Sequence, residues 1–206
     1  RGAGPLRANG ADLAESVGSH RVRLTPHQKL LVLDVPDEHV EHVVSTLKEN
    51  GLDARPSPFR RSTIACTGIE YCKLAIVDTK DTATATIDEL EQRLGDLSQM
   101  KPLSLHVNGC PNSCARIQTA DIGLKGQLVM DDDGQQVPGF QVHLGGGLAS
   151  DDREVAGMGR TVRGLKVTAD DLTDYVERVV RRYESDKDGS ETFAEWAHRA
   201  DEEALR

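Results

Sequence analysis

Aromatic residues are scarce in this chain: Phe 3, Tyr 3 and one Trp among 206 residues. The core therefore has to be built from Leu, Val and Ile. Basic residues are outnumbered, with 25 Lys and Arg against 34 Asp and Glu and a net charge of −9. That balance argues against non-specific binding to nucleic acid or an anionic membrane. No apolar run approaches the roughly 20 residues of a spanning helix, and no signal-peptide pattern opens the chain. A cytoplasmic protein without membrane contact is expected. There is no C-x-x-C to favour thioredoxin chemistry, and no G-x-G-x-x-G to bind a flavin or nicotinamide. Repeats and low-complexity tracts are missing too. The first residue is Arg1, not Met, and the Gly- and Ala-rich opening reads as the cut edge of a longer polypeptide.

At 22.4 kDa the chain makes one ordinary domain or two small ones. Its four cysteines all fall between positions 66 and 114, as Cys66-x5-Cys72 and Cys110-x3-Cys114. A secreted domain would usually spread its disulfides, so this clustering reads as a metal site in a reducing compartment.

HRVRLTP (20–26) alternates, which predicts a short half-buried strand closed by Pro26. KLLVLDV (29–35) is a continuous apolar run and predicts a more buried one. Asp37 can cap a helix with Val40, Val43, Val44 and Leu47 on one face, stopped by Gly51. RPSPFRR (55–61) reads as a basic linker, because its two prolines disfavour helix in the residues before them. Past Ser62, a turn at Cys66–Gly68 is expected to feed a helix over 70–78, and IDELEQRLGDL (87–97) predicts another. LSLHV (103–107) is a strand that runs into NGCPNSC (108–114). Two strands are expected in 122–130 and 139–144 around an acidic turn at Asp131–Gly134, then a polar loop at 150–161 and a short strand in 162–167. TADDLTDYVERVVRRY (168–183) is the clearest helix, capped by Thr168 or Asp170, and a last small helix should dock through Phe193 and Trp196.

Thiolates suit zinc, copper(I) and iron–sulfur clusters. The x5 gap is long for zinc, and the C-x2-C-x2-C run of small ferredoxins is absent. Two pairs 37 residues apart suit a cluster clamped between two loops. Structural zinc and a redox dithiol stay open as alternatives. Gly68, Gly109 and Pro111 flank the thiols and let backbone N–H groups approach cluster sulfurs.

ACTGIEYC (65–72) followed by HVNGCPNSCARIQTADIGLKG (106–126) resembles the sirohaem- and 4Fe-4S-binding half of the assimilatory ferredoxin-dependent nitrite and sulfite reductases. GFQVHLGGG (139–147) is similar to the strand and glycine turn that follow in that family. RVRLTPHQKLLVLDVP (21–36) resembles its ferredoxin-like segment, matched at Arg23 and Gln28. The likeness spans roughly residues 12–200.

The resemblance implies an α+β fold: a partial ferredoxin-like unit over 1–59, then a sirohaem and 4Fe-4S domain with a mixed sheet and C-terminal helices over 60–206. It implies that the chain is the C-terminal half of a duplicated polypeptide, monomeric at full length. By position, Cys66, Cys72, Cys110 and Cys114 would ligate the cluster, with Cys114 also bridging to the sirohaem iron. Asn112 would sit beside the cofactor pair and share the catalytic environment with Cys114. Thr67, Gly68, Arg116 and Arg23 would be cofactor-binding. For Arg116 the chemistry is direct, since a guanidinium pairs bidentately with the carboxylates of sirohaem. Gly145–Gly147 would let backbone lie against the cofactor region. The anion-gripping basic residues belong to the other half, so this chain alone should not turn over substrate.

The implied reaction is six-electron reduction of sulfite to sulfide with electrons from ferredoxin. An arginine two residues after the last cysteine resembles the sulfite-reducing members. Reduction of nitrite to ammonia is the alternative, and Ser113 is shared more readily with that side. Alternatives of another class are a non-catalytic iron–sulfur electron-transfer module and an interaction domain stabilised by zinc on the same cysteines. Arg55, Arg60, Arg61 and Lys73 form a patch that could receive an acidic ferredoxin, or serve as solvated linker charges. His106 and His143 are read first as satisfied inter-strand residues, with a proton relay as the other possibility. The run Asp131–Asp133 lacks the later ligands of a calcium loop.

Overall fold

The computed structural model describes residues 4–95, 100–149 and 156–206. It divides into two compact units, Arg1–Pro56 and Ser57–Arg206. Part of the expected helix at 87–97 and of the polar loop at 150–161 lies outside the described residues.

The N-terminal unit holds helix α1 (Gly4–Ser16), strands β1 (Val22–Leu24) and β2 (Leu30–Val32), and helix α2 (Val40–Glu49). The strands pair antiparallel, with Arg23 opposite Leu31. Leu13, Val17 and Val43 form its small core, flanked by Val35 and Leu47. Three expectations fail here. The strand at 20–26 is not half-buried, since Val22 and Leu24 are 48 % and 77 % exposed. The run at 29–35 is not buried, for Leu30 and Leu31 are 40 % and 45 % exposed. A two-stranded ribbon gives each strand only one neighbour, so a continuous apolar run is not by itself evidence of burial. Asp37 does not cap α2 either. It opens a 3-10 turn (Asp37–His39), and α2 starts after His39 with no side-chain cap.

The C-terminal unit carries a five-stranded sheet in the order β3 (Ile64–Ala65), β4 (Leu105–Asn108), β5 (Ile122–Met130), β6 (Gln136–Leu144), β7 (Lys166–Thr168). The first three strands run parallel, and β5–β6 and β6–β7 are antiparallel. With helices α4 (Lys80–Arg93), α5 (Leu172–Asp186) and α6 (Phe193–Arg199), this is the α+β architecture with a mixed sheet that the sequence implied. Side chains alternate between faces along each strand. Leu105, Val107, Ile122, Leu124, Phe140, Val142 and Leu144 join the core with Leu90 of α4 and Val176, Val179 and Val180 of α5. Register places His106, Gly123 and His143 side by side on the other face, and beside them Asn108, Lys125 and Gln141.

Along the sheet the core is aliphatic but for Phe140, and three further aromatic rings cluster around α5 and α6. Tyr183, Phe193 and Trp196 meet with ring centroids 5.3–5.6 Å apart. Burial pushes the Tyr183 hydroxyl up to about 12, and it donates to the Glu191 carbonyl at 2.7 Å. A capping box between Thr192 and Glu195 starts α6 in the right place for this cluster. The strand expected in 162–167 forms later, over Lys166–Thr168, after a turn closed by Leu165 N–H to Val162 O. Helix α5 begins only after Asp171, because Thr168 ends β7 and its hydroxyl is spent on the Asp171 amide and carboxylate. Thr168 and Asp170 are therefore not its caps.

The stretch 55–61 is not a plain linker. Ser57 accepts the Arg60 N–H and caps the short helix α3 (Pro58–Ser62), whose first position suits proline because no amide is needed there. Arg60 then pairs with Glu91 at 2.6 Å and Asp88 at 2.5 Å on α4, and Arg55 pairs with Glu41. Two members of the suggested basic patch are thus engaged within the chain.

Trp196→Ala removes a fully buried ring from this cluster. It should cost about 3–5 kcal/mol in urea unfolding. The Arg60 hydrogen bond holds the Glu91 carboxyl below the usual carboxylate range. A depressed folded value gives stability that is present above the unfolded value near ~4.3 and lost as pH falls through the folded one. Glu91→Gln should therefore cost about 0.5–1 kcal/mol at neutral pH, and the gap to the parent should close in acid.

Candidate metal centre

Both cysteine motifs begin where adjacent parallel strands end. Ile64 and Ala65 of β3 stand opposite His106 and Val107 of β4. The ladder goes one step further, with Cys66 N–H to Val107 O at 2.9 Å. The chain then turns at Gly68, whose φ of +78° suits glycine and whose added Cβ would lie 2.7 Å from Thr79 Oγ1. Thr79, itself buried, donates its hydroxyl to the Cys66 carbonyl at 2.9 Å.

No helix forms over 70–78; the segment is a series of turns. Cys72 N–H reaches Gly68 O and Ala75 N–H reaches Cys72 O. The next amides, Ile76 and Val77, bond instead to Gly109 O of the second motif at 2.7 and 3.2 Å. A carbonyl from the neighbouring loop has taken the donors a helix would use. In return, Gly109 N–H donates to the Cys66 sulfur at 3.3 Å. A Cβ on Gly109 would lie 2.7 Å from the Val77 carbonyl oxygen, so only glycine lets the two loops pass this closely.

The second motif turns on Asn108, which is 0 % exposed. Its amide nitrogen donates to Cys110 O at 2.6 Å and its oxygen accepts Ala115 N–H at 2.9 Å. Ser113 and Arg116 flank Cys114 with φ of +58° and +57°. Arg116 N–H bonds Ser113 O at 2.8 Å, and the Ser113 hydroxyl donates to the Gln118 side-chain oxygen. This bent loop leaves Cys110 buried and Cys114 exposed, while Cys66 and Cys72 are half-buried.

All four cysteines are free thiols. Among the described residues no three His, Cys, Asp or Glu side chains converge as they would around one ion. The thiolates of a cubane each bind a different iron and do not share a point. The donor set fits a cluster: four soft ligands from two loops tied together, with a backbone amide already aimed at one sulfur.

Of the other residues singled out, Gly68 is buried, Thr67 and Asn112 are exposed, and Arg116 is half-buried. Arg23 lies exposed on β1 in the N-terminal unit. Gly145 donates to Asp121 O, and Gly147 exchanges both backbone bonds with Gly157, so this turn is held by the chain's own backbone. His106 is buried, with Nδ1 3.2 Å from Arg116 O. His143 differs: its Nε2 is buried without a hydrogen-bond partner among the described residues. Burial, helped by the nearby Lys125 charge, pushes its pKa down. Neither Asn108 nor Thr79 stands out as a site residue in the sequence. A polar residue directly after a strand and one directly before a helix were the available signals.

A mixed sheet with paired cysteine loops at the carboxyl ends of its parallel strands defines a thiolate-bearing α+β protein. Comparison with known proteins narrows this. Residues 57–206 match the family described as "Nitrite and sulphite reductase 4Fe-4S domain", and residues 10–50 match the "Nitrite/Sulfite reductase ferredoxin-like half domain". The chain is 54 % identical over 198 residues to a sulfite reductase (ferredoxin) 1 of Mycolicibacterium paratuberculosis, covering 95 % of this chain and 35 % of that protein. A ferredoxin–nitrite reductase of Synechococcus elongatus is 38 % identical over 141 residues, 68 % of this chain and 27 % of the relative. The solved Mycobacterium tuberculosis NirA protein superposes with a TM-score of 0.93 at 48 % identity, over 98 % of this chain and 37 % of that one. The chain belongs to the nitrite and sulfite reductase family, and it spans about a third of the length of the first of these relatives.

Gly109→Ala forces a methyl group onto the Val77 carbonyl. It should destabilise the C-terminal unit by about 1–3 kcal/mol in thermal or urea unfolding. Gly95→Ala, with open space around it and no left-handed backbone, should lose less.

Proposed function

We propose that this chain is the cluster-bearing part of a ferredoxin-dependent reductase that uses sirohaem and a 4Fe-4S cluster to reduce sulfite to sulfide. The observation that carries this reading is the tie between the two cysteine loops, made by Gly109 to Cys66 on one side and Gly109 to Ile76 and Val77 on the other. Cys66, Cys72, Cys110 and Cys114 would hold the cluster. The bound pair of cofactors would supply the low-potential electron chemistry, six electrons per sulfite, while the protein sets position and potential.

What this chain contributes is orientation. Cys110 lies buried and Cys114 exposed in one short loop, so Cys114 would be the thiolate left to meet the second cofactor. Thr67, Gly68 and Asn112 border the two loops. Arg116, two residues after Cys114 in a left-handed turn, would pair its guanidinium with a sirohaem carboxylate. Amides aimed at ligand sulfurs stabilise the reduced, more negative cluster. The residues that grip the anion, and part of the surface that receives ferredoxin, would lie in the remainder of the polypeptide.

Sulfite is favoured over nitrite by the higher identity to the sulfite reductases, 50–54 % against 30–38 %, and by Arg116 after the last cysteine. No described helix is long and apolar enough to cross a membrane. We infer a cytoplasmic enzyme, monomeric at full length.

Anaerobically prepared protein from the natural polypeptide should contain about four acid-labile sulfides and five irons with a haem band. Zinc near one per chain without sulfide would overturn the reading. Cys114→Ser should lose the magnetic coupling between haem and cluster seen by EPR, and with it most sulfite turnover, while Asn112→Ala keeps the coupling.

A further inference from the structure

Asn108 is the one polar side chain of the second cysteine motif that is fully buried, and both ends of its amide are used. Nδ2 donates to the Cys110 carbonyl at 2.6 Å, and Oδ1 accepts the Ala115 amide at 2.9 Å. The two partners differ in kind, one an acceptor and the other a donor, so the amide can sit only one way round. Between them lie Pro111, Asn112, Ser113 and Cys114. The same Nδ2 stands 4.0 Å from the Cys110 sulfur, at the outer limit for an N–H to sulfur contact. His106, two residues earlier on the same strand, meets the far side of the loop, through Arg116 O at 3.2 Å.

We infer that Asn108 is a positioning residue for the cluster. Its oxygen fixes the loop that presents Cys114, and its nitrogen fixes Cys110 and sets the polarity around that sulfur. The inference rests on the proposed cluster reading and deepens it. Three observations converge. An amide wholly inside a protein needs its hydrogen bonds met, and here both are met by the cysteine loop alone. Ser113 and Arg116, both at positive φ, are bent conformations that surrounding contacts must hold, and Ala115 lies between them. Cys66 already takes the Gly109 amide on its sulfur, so Asn108 gives the partner loop a matching donor on the same strand end.

Asn108→Asp keeps the acceptor for Ala115 but replaces the donor beside Cys110 with a carboxyl oxygen. Asn108→Ala removes both bonds. In the natural polypeptide, purified anaerobically, an EPR-monitored redox titration should put the cluster midpoint lower in Asn108→Asp than in the parent at the same iron and sulfide content. Asn108→Ala should release iron to a chelator several-fold faster than the parent. A midpoint and a release rate both matching the parent would reduce Asn108 to loop packing and overturn the inference. If neither variant keeps its cluster, Asn108→Ser, small and still polar, is titrated in their place, and an unchanged midpoint there overturns it equally. Parent protein without labile sulfide would instead sink the cluster reading itself, so the two failures are distinct.

Discussion

The pairing of β3 with β4 is the constraint from which the rest of this site follows. β3 is only two residues long, and it is held by parallel pairing to β4 and by the Cys66 amide on Val107 O. Strand side chains alternate, so a slip of one residue would exchange the faces of Ile64 and Ala65. It would also carry Cys66 away from Gly109 N–H. The register therefore fixes which sulfur meets which amide, and it does so from residues that are themselves buried and apolar.

The same sheet separates its two tasks by face and by end. One face is committed to packing, through Leu105, Val107, Leu124 and Phe140 against α4 and α5. The carboxyl ends of the parallel strands are free to bear loops, which is where ligands collect in sheets with parallel strands. Asn108 and Lys125 are register partners at that end, and the face away from the core carries His106, His143 and Gln141. A polar row of this kind is costly in a sheet interior unless something polar meets it. His106 finds the Arg116 carbonyl, whereas His143 Nε2 finds no partner among the described residues.

The strands from 103 to 144 were legible because their alternation and turn residues agree with each other. The helix α5 was legible for the same reason, and the paired cysteine motifs pointed to the family whose 4Fe-4S domain matches residues 57–206. What could not be read was decided by distant partners. The segment 70–78 has a helical composition, but Gly109 O, more than thirty residues away, takes the amides of Ile76 and Val77. RPSPFRR looked like a linker until Ser57 and the carboxylates of α4 gave Pro58–Ser62 a reason to be helical. The run at 29–35 has the composition of a buried strand, and only topology shows that its ribbon has two strands. Asn108 illustrates the limit best, since the letter after a strand does not say whether it faces water or closes a loop.

Burial within the NGCPNSCAR loop is uneven, and the unevenness has a physical consequence. A buried thiolate has no water to stabilise its charge, so it needs a metal or amide donors close by. Cys110 has the Asn108 amide close by, on a side chain that cannot rotate away without breaking two bonds. Cys114, four residues later, is turned to the outside by Ser113 and Arg116. A loop whose ligands were equally buried would hold a cluster but seal it off. A loop whose ligands were equally exposed would leave it open to solvent. In the proposed cluster, fixing one sulfur inside and one outside, with a single asparagine tying the loop together, would let the inner sulfur tune the potential while the outer one reaches a second group.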